Sequence, residues 1–146
     1  MACKYLYIDD AAAEKALGTI TGLQKEGVLE VCHIPPKGEW NDEIKSILDD
    51  VKQYNGLILD QRLDQERAAN GQHSHYRGTS VAQEIRVLVK ENELDDLPIV
   101  LLSAEANISG SLDSTGGDLF DHIVSKEDIG KIFPKTRDIL IGLCMG

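Results

Sequence analysis

The chain has 146 residues, 42% of them hydrophobic and 27% charged, which is enough for one globular domain with its own core. Its net charge of −10 argues against nucleic-acid binding, because a phosphate backbone requires a clustered positive surface. No apolar run approaches the roughly 20 residues that span a membrane, and the N-terminal sequence MACKYLYIDD has no signal-peptide pattern, so we expect a single cytoplasmic domain over residues 1–146 without membrane contact.

The N-terminal half alternates short apolar runs with segments of helical periodicity. Residues 4–8 (KYLYI) predict a strand, and apolar residues at helical spacing over 13–23 predict the helix that follows it. Residues 29–34 predict a second strand, which two prolines close. Asn41 is a candidate N-cap for the next helix. The continuous apolar run over 57–59 is typical of a strand buried on both faces.

The C-terminal half begins with a polar, aperiodic stretch over 62–78, which predicts a long loop. The alternation then continues with a helix over 81–89, a buried strand over 97–102, a Gly- and Ser-rich segment over 107–117 that makes a poor helix, a strand over 120–124 and a terminal helix over 129–143. The apolar C-terminus suits either a docked last helix or the N-terminal part of a longer protein. Five strands alternating with helices predict an α/β domain with a parallel sheet.

Three cysteines, Cys3, Cys32 and Cys144, are widely spaced and odd in number. Their spacing indicates neither a disulfide framework nor a metal site. Because Cys3 and Cys32 fall in predicted strands, we interpret the cysteines as small buried hydrophobic residues in a reducing compartment.

Reactive side chains follow four of the five predicted strands. Asp9 and Asp10 follow the first, Asp60 the third, Ser103 the fourth and Lys126 the fifth. Because the carboxyl ends of parallel strands share one edge of a sheet, we expect these residues to converge in one shallow pocket. Carboxylates placed so close together repel unless a cation intervenes, and Mg²⁺ is the cation that prefers such oxygen ligands.

This set of residue types suits phosphoryl transfer. A carboxylate can attack phosphorus and form an aspartyl phosphate. The metal and Lys126 would neutralise charge on the transferring group, while the Ser103 hydroxyl could donate a hydrogen bond to one of its oxygens. The predicted chemistry therefore depends mostly on positioning.

The ordered set resembles the receiver domain of bacterial response regulators over nearly all of the chain. KYLYIDD, GLILD, PIVLLSAE and HIVSK stand where that family has an acidic pair, a phosphoacceptor Asp, a Ser or Thr and a Lys, each at a strand end. Gly78 matches the usual Gly before the third helix of the family. The resemblance implies a flavodoxin-like (βα)5 three-layer sandwich, with a five-stranded parallel sheet of order 2-1-3-4-5.

The resemblance also implies a role for each residue of the set. Asp60 would accept the phosphoryl group, and Ser103 and Lys126 would bind its oxygens. The implied ligands of Mg²⁺ are Asp9, Asp10, Asp60 and the backbone carbonyl of Arg62. Such a domain is a signalling module that assists its own phosphorylation and dephosphorylation. Its implied partners are a histidine kinase or phosphotransfer protein, together with a C-terminal effector domain or a partner protein.

The chain departs from the family pattern on the output side. The loop after Asp60 is longer than usual and lacks the customary Pro-Gly stretch, and Glu127 replaces the Pro that typically follows the lysine. Ile123 stands at the position of the aromatic switch residue, which with Ser103 would couple the pocket to the output surface. We therefore expect an intact phosphorylation pocket with a readout that differs from the family's.

Two other functions are open at this point. The departures suit a degenerate receiver that binds partner proteins without phosphorylation. A phosphatase of the haloacid dehalogenase type also uses Asp, Ser or Thr, Lys and paired acids. That family places its nucleophile in a DxD motif after the first strand, where this chain has Asp9 and Asp10.

Overall fold

The chain folds as strands that alternate with helices. The structure is a computed structural model that describes residues 3–9, 27–34, 40–60, 78–103, 120–125 and 138–144. The strands are β1 (Cys3–Ile8), β2 (Leu29–Ile34), β3 (Gly56–Asp60), β4 (Ile99–Ser103) and β5 (His122–Ser125). The described helices are α1 (Trp40–Asp50), α2 (Gly78–Lys90) and α3 (138–144), and a 3-10 turn, Val51–Gln53, extends α1.

All five strands join one sheet in the order β2-β1-β3-β4-β5, and every neighbouring pair is parallel. This arrangement confirms the predicted α/β class, and it confirms the strand order implied by the resemblance to receiver domains. The inner strands β1, β3 and β4 are rich in apolar residues because helices cover the sheet on both sides. Leu57, Ile58 and Leu59 accordingly have no exposed surface.

The hydrophobic core lies on the two faces of the sheet. On one face, alternate residues such as Leu6 and Leu59 pack with Ile47 of α1 and Ile85 of α2. On the other face, the intervening residues pack with Leu140 of α3. The period of two along each strand separates these groups, so the described elements form three layers.

Gly56 opens β3 because another side chain occupies the space above it. Gly56 pairs with Tyr5 in the register of β1 and β3, and a Cβ at this position would overlap the Tyr5 ring. A glycine therefore lets the fully buried Tyr5 ring lie against the backbone of the neighbouring strand.

Several predicted boundaries are wrong by one or two residues. α1 begins at Trp40, so Asn41 lies inside the first turn and is not the N-cap. The reason is that Trp40 packs against the same core as Ile44 and Ile47, which extends the apolar face of the helix by one turn. The predicted helix over 13–23 and the segment over 107–117 lie outside the described residues. So does the predicted loop over 62–78, apart from Gly78, which begins α2.

Cys3 is buried as predicted, but the prediction that the cysteines form no disulfide is wrong. Cys3 and Cys144 form a disulfide across a sequence separation of 141 residues, with their Cα atoms 6.2 Å apart. Cys3 opens β1 and Cys144 ends the described part of α3, so only the folded chain brings them together. Cys32 lies on the edge strand β2 and is exposed rather than buried. No helix among the described residues has both the length and the apolar character that a membrane crossing requires.

Candidate functional site

Two buried carboxylates lie side by side at the carboxyl ends of the central strands. The register pairs Ile8 with Leu59, so the residues that follow them, Asp9 and Asp60, occupy neighbouring positions on adjacent strands. Asp9 is 1% exposed and Asp60 is 4% exposed. The structure thus brings together two members of the predicted site that are 51 positions apart in the sequence.

The rest of this edge follows from the register of the outer strands. Asp60 pairs with Leu102, and Ser103 is the next residue of β4. Ser103 in turn pairs with Ser125, the residue immediately before Lys126. We call the row formed by Asp9, Asp60, Ser103 and Ser125 the carboxyl edge. Asp10, Arg62 and Lys126, the other members of the predicted site, lie outside the described residues.

The two carboxylates of the carboxyl edge are oxygen donors of the kind that a divalent cation binds. Neighbouring strands are about 4.8 Å apart, and ionised carboxylates that are buried close together repel each other. A divalent cation with oxygen ligands relieves that repulsion. Within the described part of the chain, no group of three His, Cys, Asp or Glu side chains could hold a metal ion, and the third predicted carboxylate, Asp10, is not among those residues.

Asp9 is fixed by contacts at each of its polar groups. Its backbone N–H donates to the Ile34 carbonyl oxygen at 3.4 Å. Its own carbonyl oxygen lies 2.8 Å from His33 Nε2. The Tyr7 hydroxyl donates to Asp9 Oδ2. The Tyr7 and His33 rings also contact each other, with centroids 5.7 Å apart and planes tilted by 56°.

The sequence interpretation missed Tyr7 and His33 as neighbours of the site. Neither residue is among those to which the sequence pattern assigns a role. A signal for Tyr7 was present, because Tyr7 and Asp9 are two residues apart and residues with that spacing share one face of a strand. His33 had no comparable signal, since its contact with Asp9 depends on the pairing of β1 with β2.

Ile123, the predicted switch position, is half-buried on β5. It pairs with Leu101 of β4 and packs against the core that contains α1 and α2. An aliphatic side chain thus occupies this position as a packing residue. Its predicted role in output stays a prediction.

The opposite edge of the sheet has a different character. We call the strand starts at Cys3, Gly56, Ile99 and His122 the amino edge. A cavity of about 880 Å³ opens there, lined by the segments that precede β3, β4 and β5 and by the end of α3. Arg86 of α2 reaches this region, where its Nη2 lies 2.8 Å from Asp121 Oδ2 and its Nη1 lies 3.2 Å from Asp96 Oδ1.

A second contact of the amino edge involves Tyr5. Its hydroxyl donates to the Leu140 carbonyl oxygen of α3 at 2.7 Å. Burial raises the pKa of Tyr5 well above its ordinary value of 10.0, and the negative charge of Asp121 adds to that increase. Tyr5 therefore stays protonated and continues to donate this hydrogen bond.

Comparison with known proteins supports the fold assignment. Neither the family models nor the curated proteins include a match to this chain. Among solved structures, the chain is similar to the response regulator domain of Thermotoga maritima CheB, with a TM-score of 0.66, 8% identity and coverage of 100% of this chain and 98% of that one.

Two further structures extend the comparison. The phosphorylated cyanobacterial phytochrome response regulator RcpA matches with a TM-score of 0.62 and 17% identity, over 95% of this chain and 91% of its own. The BeF3-activated DrrB receiver domain matches with a TM-score of 0.57 and 17% identity, over 96% and 98%. The chain therefore has the fold of response regulator receiver domains.

Proposed function

We propose that this chain is a phosphoacceptor receiver domain, in which Asp60 accepts a phosphoryl group from a histidine kinase or phosphotransfer protein. The observation that carries the proposal is the pair of buried carboxylates, Asp9 and Asp60, at neighbouring positions of the carboxyl edge. Burying a charge costs free energy, and burying two like charges together costs more. A paired arrangement of this kind is best explained by a function that uses both groups.

The donor set fits Mg²⁺ as the cofactor. The proposed ligands are Asp9, Asp10, Asp60 and the backbone carbonyl of Arg62, all of them hard oxygen donors. When bound, the ion would neutralise charge on the phosphoryl oxygens. The protein would supply the nucleophile and the groups that hold the phosphoryl oxygens in place.

In the proposed reaction, a carboxylate oxygen of Asp60 attacks the phosphorus of a phosphohistidine. An O–P bond forms as the N–P bond breaks, and the departing imidazole nitrogen keeps the electron pair of the broken bond. The Lys126 ammonium and the Ser103 hydroxyl would donate to the phosphoryl oxygens. We thus assign phosphoryl transfer to Asp60, and the later hydrolysis of the aspartyl phosphate to inorganic phosphate, to a signalling domain rather than to a classical enzyme.

The proposed setting has a kinase upstream and an effector domain or partner protein downstream. The phosphorylated state would change which partner binds, through Ser103 and the segments beyond β4 and β5. A phosphorylation-independent interaction module is the second candidate. The observation that favours it is Ile123, a packed aliphatic residue where receiver domains commonly have an aromatic switch.

One experiment separates the two candidates. The protein is incubated with Mg²⁺ and beryllofluoride, a mimic of an acyl phosphate, and amide NMR spectra are recorded beside those of Asp60→Asn. Shifts around residues 9, 60 and 103 in the wild type alone are expected for a working phosphoacceptor. Identical spectra with and without beryllofluoride at millimolar Mg²⁺ would refute the phosphoacceptor and favour the interaction module.

A further inference from the structure

Tyr7 occupies a buried position from which it reaches the carboxyl edge. Its side chain has no exposed surface and lies in the core between the sheet and α3. From there its hydroxyl donates to Asp9 Oδ2. A hydrogen bond from a ring that is fixed in the core restricts the side-chain torsions of the carboxylate that accepts it. The ring cannot move with the carboxylate, so rotation would break the hydrogen bond.

His33 completes the support from the neighbouring strand. A carbonyl oxygen can only accept a hydrogen bond, so the 2.8 Å contact with Asp9 requires His33 Nε2 to carry the hydrogen. The same imidazole lies against the Tyr7 ring, with centroids 5.7 Å apart. His33 thus contacts the backbone of Asp9 and also the ring of Tyr7, whose hydroxyl donates to the Asp9 carboxylate.

We propose that Tyr7 and His33 are positioning residues that hold the Asp9 carboxylate in the orientation required for Mg²⁺. The inference rests on the proposed function, since it assumes that Asp9 is a metal ligand. Partners of a ligating side chain fix its direction and thereby strengthen metal binding. The support comes from two strands: β1, which precedes Asp9, supplies Tyr7, and the neighbouring strand β2 supplies His33.

The chain provides a matched control for Tyr7. Tyr5 is also fully buried in the core between the sheet and α3, and its hydroxyl also donates one hydrogen bond, but to the Leu140 carbonyl oxygen. Tyr7→Phe and Tyr5→Phe therefore remove the same atom from the same strand and leave the same ring behind. Only the first substitution changes a contact of the carboxyl edge.

The test is a titration of each variant with MgCl₂, followed by amide NMR, together with its thermal unfolding midpoint. Tyr7→Phe is expected to weaken Mg²⁺ binding about tenfold, whereas Tyr5→Phe should bind Mg²⁺ as the wild type does. Both variants should unfold at a lower temperature than the wild type. Mg²⁺ affinity equal to wild type in Tyr7→Phe would overturn the inference, because the hydrogen bond would then serve stability alone.

A second variant keeps the test decisive if Tyr7→Phe does not fold. His33→Phe retains a ring against Tyr7 and removes the donor to the Asp9 carbonyl oxygen, and it is expected to weaken Mg²⁺ binding about threefold, less than the loss of a direct carboxylate contact. Unchanged binding in His33→Phe would overturn the role of His33. A wild type that binds no Mg²⁺ at all would instead refute the proposed function, and the inference with it.

Discussion

The two edges of the sheet are built for different purposes. At the amino edge, contacts join segments that are distant in sequence: the Cys3–Cys144 disulfide, the Tyr5 hydrogen bond to α3 and the Arg86 ion pair with Asp121. At the carboxyl edge, the central strands end in two adjacent buried carboxylates. One edge joins distant segments of the chain, while the other places two buried carboxylates at neighbouring positions.

This difference indicates where stability and function can be altered separately. Groups that lower stability when left alone are typical of sites that bind an ion or react, because binding compensates for their cost. Changes at the amino edge should therefore alter the free energy of unfolding and leave cation binding intact. Changes at the carboxyl edge should mainly alter the affinity for the cation.

The largest expected effect is at the amino edge. The disulfide closes a loop with a sequence separation of 141 residues, and in the chain-entropy description such a bridge stabilises the folded state by about 5 kcal/mol. Urea unfolding with and without reductant should show a loss of this order. Cys144→Ser should show the same loss and no further response to reductant.

Cys32 provides the control for the disulfide prediction. It is exposed and takes no part in the bridge, so Cys32→Ser should unfold like the wild type and keep the full response to reductant. If the wild type had the same free energy of unfolding with and without reductant, the disulfide would not stabilise the amino edge.

The next effect is at the carboxyl edge. A Mg²⁺ concentration of about 100 times its Kd should raise the free energy of unfolding by about 2.7 kcal/mol, because the ion binds only the folded chain. Asp9→Asn should lose most of this gain in urea unfolding measured across a MgCl₂ series. Asp96→Asn alters an exposed carboxylate of the amino edge and should retain it. Equal responses of the two variants would place the ion elsewhere.

A smaller effect is expected when either of the two acidic partners of Arg86 is replaced. Asp121 Oδ2 accepts from Arg86 Nη2 and from the Ile99 backbone N–H, both at 2.8 Å. Because the pair is partly exposed, we expect Asp121→Ala to cost about 1.5 kcal/mol. Asp96 is 79% exposed, so Asp96→Ala should cost less than about 0.5 kcal/mol. Chemical denaturation of both variants measures the difference, and equal losses would show that the second hydrogen bond of Asp121 contributes little.

The smallest effect depends on pH. The pKa of Tyr5 is raised in the folded chain, mainly by burial, so the unfolded state loses this proton first as the pH rises. The contribution of neutral Tyr5 to the free energy of unfolding is therefore fully present below pH 10. Above pH 10 it decreases by at most about 1.4 kcal/mol per pH unit. Tyr5→Phe should have a shallower decrease than the wild type between pH 9.5 and 10.5. If the stability of the two proteins decreased in parallel with pH, the pKa of Tyr5 would be the same in the folded and unfolded states.

Much of the fold could be predicted because local patterns encode it. The runs KYLYI and LIL predicted β1 and β3, since strands buried on both faces need continuous apolar sequence. Strand ends also predicted that Asp9 and Asp60 would meet, because parallel strands share their carboxyl edge. The N-cap predicted at Asn41 places the start of α1 two residues late, because Trp40 packs on the same core as Ile44.

The rest could not be predicted because it depends on contacts between distant segments. No local pattern relates Cys3 to Cys144, which become neighbours only when α3 packs beside β1. The contact of His33 with Asp9 likewise requires the register of β2 against β1. Sequence thus predicted that Asp9 and Asp60 end neighbouring strands, while the contacts of Tyr7 and His33 with Asp9 needed the structure.

The disulfide has a consequence for the interpretation of limited proteolysis. A single cut of the backbone at any position between residues 3 and 144 leaves two fragments that Cys3 and Cys144 still join. A nicked molecule would therefore migrate as one species on a non-reducing gel and as two on a reducing gel. Comparing the two gels after brief digestion reports the cleaved bond and the bridge in one experiment.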